Sequence, residues 1–183
     1  MELLEGTLRV DDLDDVLATL SEVGDRHDVT IQAFDARYVA GRGHLERAVE
    51  CAERARERGE MIARDPAVEI LCYAAGRRQI ERALEMGVAA GDGPATILVT
   101  GGDREADRAG RLERASGETA SAEAEAIADL ADELDLEEAS VLDEADEERL
   151  ADFFEITDAE RAATDATLEE LVCERVALLT VDK

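Results

Sequence analysis

The chain has no tryptophan, and its aromatics amount to 3% of residues, so its core must be built from Leu, Val, Ile and Ala. It contains one lysine, Lys183, and every other basic residue is an arginine. Positive charge is scarce: 20 basic side chains face 47 acidic ones, for a formal net charge of −27. Acid excess, missing lysine and many small residues together predict a protein adapted to a salt-filled cytoplasm, as in halophilic archaea. In molar salt the Debye length shrinks to about 3 Å, so self-repulsion is tolerable and long-range steering is weak. Cys51, Cys72 and Cys173 are odd in number, distant and without CxxC spacing. They read as small core hydrophobes in a reducing compartment, neither disulfides nor a zinc site. No apolar run approaches the roughly 18 residues of a membrane span, and the N-terminus has no secretion-signal pattern, so a soluble cytoplasmic protein is expected.

Recognisable catalytic motifs are missing too. The chain shows no Walker A loop, GxSxG elbow, HExxH helix, kinase signature or paired Cys–His set. Asp35, Asp65 and Glu69 are possible acids or bases, but nothing marks a nucleophile beside them. The residues favour binding over catalysis, with no cofactor and no metal.

A hydrophobic content of 45% over 183 residues is enough for one well-buried domain. Leu4, Gly6, Leu8 and Val10 alternate as in a strand, and Val16, Leu17, Leu20 and Val23 follow as a helical stripe. Val29, Ile31 and Ala33 alternate again. Leu45, Ala48, Val49, Ala52 and Ala55 form the inner face of a helix opened by Gly41-Arg42-Gly43-His44. Thr96 to Thr100 is short, β-rich and apolar on both faces, which predicts a central strand. Gly101 to Glu118 reads as an exposed, mobile loop, and Ala122 to Leu134 as an acidic amphipathic helix. Leu150, Phe153 and Phe154 suit a short helix. Capping boxes at Thr157–Glu160 and Thr167–Glu170 open two more, and Val176 to Val181 reads as a terminal strand. The order lacks strict βαβ alternation, so the expected fold is α+β: one compact domain over 1–183 with a central mixed sheet flanked by helices and an exposed segment at about 101–120.

The most informative stretch is Asp65 to Gly87. Asp65 can cap a helix, and Pro66 fits its first turn. Val68, Ile70, Leu71, Cys72, Tyr73, Ala74 and Ala75 make the following turns apolar nearly all round, so the helix belongs inside the domain. Gly76 interrupts it, and Arg77, Arg78 and Gln79 follow at once. Two guanidiniums directly after a buried helix break the local rule, and such conflicts mark functional sites. From Arg37 to Arg82 there are ten arginines and eight acidic residues, a local excess of two positive charges in a chain of −27. Arg47, Arg54 and Arg58 fall along one helix face, where solvated pairing with Glu50 and Glu57 is the simplest explanation. Arg77 and Arg78 fit a polyanion better, through bidentate or stacking contacts. Gly41 to His44 could offer helix N–H groups to an anion. Tyr38 and Tyr73 could stack on a base, although their apolar neighbours favour burial. His27 sits in a polar loop and is expected to be exposed.

Several of these residues form a pattern: Asp35-Ala36-Arg37-Tyr38-Val39-Ala40-Gly41, His44-Leu45 with Ala48, Glu69-Ile70-Leu71, and Gly76-Arg77-Arg78-Gln79-Ile80 with Ala83-Leu84. This pattern resembles the small kinase-binding subunit of the KEOPS complex. Phe154-Glu155-Ile156-Thr157, Leu168 to Val172 and Val176 to Val181 are similar to that family's close, so the resemblance covers about 3–101 and 145–181. The acidic middle from Asp103 to Asp143 departs from it. The resemblance implies a non-catalytic α+β subunit of the complex that attaches a threonylcarbamoyl group to the adenosine beside the anticodon. Such a subunit binds the small kinase-ATPase and holds the single-stranded 3′ end of tRNA. It makes Arg77, Arg78 and Gln79 the first tRNA candidates and Arg42 and His44 the second. For the kinase contact the expected residues are Ile156, Leu168, Leu171 and Val172. Two other functions compete. One is a small enzyme acting on an anionic metabolite through an Arg77, Arg78 and His44 pocket; the other is a scaffold whose arginines all pair locally.

Overall fold

The computed structural model describes residues 1–101, 115–142 and 145–180. Four strands form one sheet: β1 (Glu2–Val10), β2 (Val29–Asp35), β3 (Gly91–Gly101) and β4 (Leu136–Glu138), in the order β2-β3-β1-β4. Eight helices surround it among the described residues: α1 (Leu13–His27), α2 (Arg42–Arg58), α3 (Pro66–Ala74), α4 (Ile80–Ala83), α5 (Ala115–Glu133), α6 (Glu147–Phe153), α7 (Asp158–Ala162) and α8 (Leu168–Leu178). The α+β reading holds. Every pairing, however, is antiparallel, where a mixed sheet was expected. The reason is β3, which inserts between β1 and β2 and so separates the two strands that α1 connects in sequence.

Alternation along the strands sends side chains to two cores. Leu4, Leu8, Val10, Ile31, Ala33, Ile97 and Val99 meet α1 and α5 on one face. Phe34 and Leu98 meet α2, α3 and α8 on the other. Ile97, Leu98 and Val99 are all fully buried, as a central strand covered on both faces requires.

Two local readings need correction. Val176 to Thr180 is not a strand: α8 runs to Leu178, started by a complete Thr167–Glu170 capping box, and Val181 lies outside the described residues. Leu171, Val172 and Val176 are buried at helical spacing, so packing against the domain overrides the β-rich composition. The edge position beside β1 is taken by β4 instead. Of the segment read as a loop, 102–114 lies outside the described residues, Gly101 belongs to β3, and α5 is already helical from Ala115.

Candidate nucleic-acid interface

Asp65 caps α3 by accepting hydrogen bonds from the N–H groups of Ala67 at 2.8 Å and Val68 at 3.1 Å. Glu69 through Ala74 are buried, so this helix runs through the interior. It stops in a Schellman turn. Gly76 takes φ of 60°, Arg77 N–H donates to the Cys72 carbonyl at 3.0 Å, and Gly76 N–H donates to the Tyr73 carbonyl at 2.9 Å. The turn brings the chain to the surface within two residues and delivers Arg77, Arg78 and Gln79 there.

The three candidates part company at that point. Arg77 is only 26% exposed. It donates to the Phe153 carbonyl at 2.7 Å, pairs with Glu155 at 3.1 Å and lies over the Phe153 ring at 5.8 Å. Arg78 is exposed, and its Nη2 donates to the Leu179 carbonyl at 2.8 Å. Gln79 is exposed at the start of α4 and makes no side-chain cap bond.

Arg78 opens onto a groove of about 390 Å³ between α2 and α8. Arg47, Cys51, Arg54 and Arg58 line it from α2, at the spacing of one helical stripe, with Tyr73 and Ala177 among the remaining walls. The three α2 arginines of the sequence pattern thus join Arg78 at one site. Arg47 and Arg54 share Glu50, each at 3.2 Å, while Arg58 makes no ion pair among the described residues. Glu60 is the one carboxylate lining the groove among the described residues. Tyr73 borders it but is 3% exposed, so it offers little of a stacking face. Its hydroxyl is pushed above the usual phenol range, first by burial and then by Glu69, with Arg78 opposing. Tyr38 lies elsewhere, tilted against Phe153 at 4.9 Å and covered by Arg149 at 5.4 Å.

The second-rank candidates do not reach this groove. His44 is fully buried. Its Nε2 lies 2.8 Å from the Ala74 carbonyl, its Nδ1 accepts the Ala40 N–H at 3.2 Å, and its ring meets Phe154 edge-on. These partners define a neutral ring with the proton on Nε2. Burial pushes the imidazole down to about 4, against the pull of the Ala74 hydrogen bond. His44 therefore locks α2 to the end of α3 and lies in the interior, not on the surface that a second-rank tRNA contact would need. Arg42 is half exposed but tied to Glu46 at 2.9 Å and the Met1 carbonyl at 3.1 Å.

The glycine-rich turn is also occupied. Glu169 of α8 sits over the N-terminus of α2 and accepts the His44 N–H at 3.3 Å. A Cβ at Gly41 would stand 2.6 Å from its Oε1, and one at Gly43 2.9 Å, so both glycines make room for this carboxylate. The anion this turn invites comes from the same chain.

Glu69 is a structural residue that sequence reasoning saw only as a possible acid. It is fully buried, and its Oε2 accepts from Ile62 at 2.8 Å and Ala63 at 2.6 Å. Burial raises its carboxyl above the usual range, with those backbone bonds opposing. It thereby fixes the segment after α2, next to Arg58 and Glu60. The signal was an acid inside an otherwise apolar helix.

Of the expected kinase contacts, Ile156, Leu171 and Val172 are buried in a satellite core with Leu150 and Phe154, and Leu168 is partly buried against it. They shape the C-terminal layer and present no apolar surface of their own, except at Leu168. His27, expected to be exposed, is instead mostly covered and lies 2.8 Å from Asp129 of α5.

The family model for kinase binding protein CGI-121 matches residues 9–180. The chain belongs to that family. This is the KEOPS kinase-binding family whose motifs the sequence resembles. No curated protein matches the chain. No described helix is long and apolar enough to cross a membrane, and no described group of three His, Cys, Asp or Glu could hold a metal ion.

Proposed function

We propose that this chain is a non-catalytic accessory subunit of the KEOPS tRNA-modifying complex, working in the cytoplasm, which binds the small kinase-ATPase and the single-stranded 3′ end of tRNA. Family membership supports the kinase half. The tRNA half is carried by one observation: Arg47, Arg54, Arg58 and Arg78 converge on a single groove in a molecule of net charge −27. Arg78 and Gln79 lead the contact, with the α2 stripe following the backbone. Single-stranded RNA suits such a site, because its phosphates meet guanidiniums and its unpaired bases accept stacking on guanidinium planes. Arg77 acts beneath them, holding the turn to Phe153 and Glu155.

The competing metabolite enzyme needs His44 in an open pocket with the arginines, and His44 is buried with both ring nitrogens engaged. An electrophoretic shift with intact and 3′-trimmed tRNA tests the proposal. Intact tRNA should bind at least tenfold more tightly. Equal affinity for the trimmed form would refute the role of the tail.

A further inference from the structure

Among the described residues, the large apolar side chains left exposed are Leu17, Met61, Ile80, Leu84 and Leu178. Leu17 stands alone on α1, on the far face of the sheet, and Met61 lies in the loop after α2. Ile80 and Leu84 differ in kind. They are four residues apart on α4 and the 3-10 turn that continues it, so they project from one side, 41% and 55% exposed. Ala83 and Met86 from the same short element are fully buried and anchor it to the core. A rigidly anchored element that turns two branched aliphatics to water is built for a partner. Leu178, 51% exposed, adjoins Leu179, whose carbonyl Arg78 holds, so α8 and the Arg78 segment meet there.

We propose that the kinase docks on this apolar step, with Ile80 and Leu84 at its centre, and not on the buried C-terminal residues. The inference rests on the kinase-binding reading and specifies its surface. Charge selects the occupant. The charges flanking the step cancel: Arg78 and Arg82 stand against Glu81 and Glu85, with Arg82 paired to Glu85 at 3.3 Å, so its edge is near neutral in a chain of −27. Such a step admits an apolar surface of the kinase, the partner that family membership supplies, without the repulsion the rest of the chain would impose. A second copy would bring another −27 towards the first.

The test is an Ile80→Asp, Leu84→Asp double variant, with Leu17→Asp as a surface control, titrated calorimetrically against the purified small kinase from the same source. The double variant should bind the kinase at least tenfold more weakly, while the control's kinase affinity stays within twofold of the parent. Kinase affinity equal to the parent's overturns the proposal. Should the double variant lose its cooperative unfolding transition, Leu84→Gln decides in its place, with a several-fold loss expected and none overturning the idea. A parent chain that fails to bind the kinase refutes the kinase-binding reading itself. Parent self-association in sedimentation that Leu84→Asp abolishes assigns the step to a second copy and overturns the proposal.

Discussion

Two grooves run between α2 and α8, and their walls carry opposite charge. One, of about 490 Å³, is lined by Glu46, Glu50, Glu169, Glu170 and Glu174. The other, of about 390 Å³, is lined by Arg47, Arg54, Arg58 and Arg78. Arg47 and Ala177 border both. For an elongated anion the sign of the wall chooses between them, because a polyanion in the first groove would face five carboxylates at close range. The chain as a whole repels nucleic acid, and a single helical stripe reverses that locally.

Breaking the contrast should have the largest effect. Arg54→Glu, Arg58→Glu and Arg78→Glu together make both grooves acidic. At roughly 1–3 kcal/mol for each lost guanidinium contact, tRNA affinity should fall at least 100-fold at fixed salt. Fluorescence anisotropy with labelled tRNA measures this, and a loss below threefold would show that RNA binds elsewhere.

Next comes the support of the basic wall, which titrates. His44 holds α2 to α3 as a neutral ring, pushed down to about 4 from an ordinary 6.5. A base with a depressed folded value is protonated more readily when unfolded. Its contribution to stability is therefore complete above about pH 6.5 and is lost as pH falls towards 4, by about 3 kcal/mol in all. Glu69, raised by burial, works in the opposite sense, since protonation favours its folded form. Urea unfolding of the parent and of His44→Phe across pH 7 to 4 separates them. The parent should lose stability over this range more steeply than the variant, and parallel slopes would disprove the assignment.

How much of this was readable beforehand follows from what each signal depends on. Asp65, Pro66 and Gly76 act on their own neighbours, so the boundaries of α3 and the turn that exposes Arg78 were legible. The stripe of Arg47, Arg54 and Arg58 was legible as a helix face, but not the arrival of Arg78 opposite it, which needs the tertiary packing of α2, α3 and α8. The Gly41–His44 turn misled for a related reason. A glycine-rich helix start advertises anion binding, and nothing local reveals that a glutamate 125 positions later supplies the anion. The C-terminal strand failed where a short apolar run met a helical burial period and packing decided.

A smaller effect should follow from loosening the joint between α8 and the start of α2. Glu169→Ala removes the carboxylate over the α2 N-terminus and should cost about 1 kcal/mol of stability. Gly41→Ala is worse, because Gly41 has φ of 152° and the new Cβ would meet Glu169 at 2.6 Å. Once the Glu169 side chain is gone, that clash disappears and only the backbone strain remains. The double variant should therefore be less destabilised than the sum of the singles, and simple additivity in thermal unfolding would contradict the close packing.

The most delicate change sharpens the contrast without altering the fold. Glu50 lines the acidic groove yet pairs with Arg47 and Arg54 at 3.2 Å each, so it partly neutralises the wall next door. All three side chains are at least 42% exposed, and such exposed pairs contribute under about 1 kcal/mol, so Glu50→Gln should leave stability nearly unchanged. It frees two guanidiniums for phosphate contacts. Affinity for tRNA should rise two- to fivefold, and the log–log salt slope should steepen by about one to two, since each phosphate neutralised adds about 0.9 for a duplex and 0.7 for a single strand. An unchanged slope with unchanged affinity would mean that RNA passes over Arg58 and Arg78 alone and that Arg47 and Arg54 serve only the surface of α2.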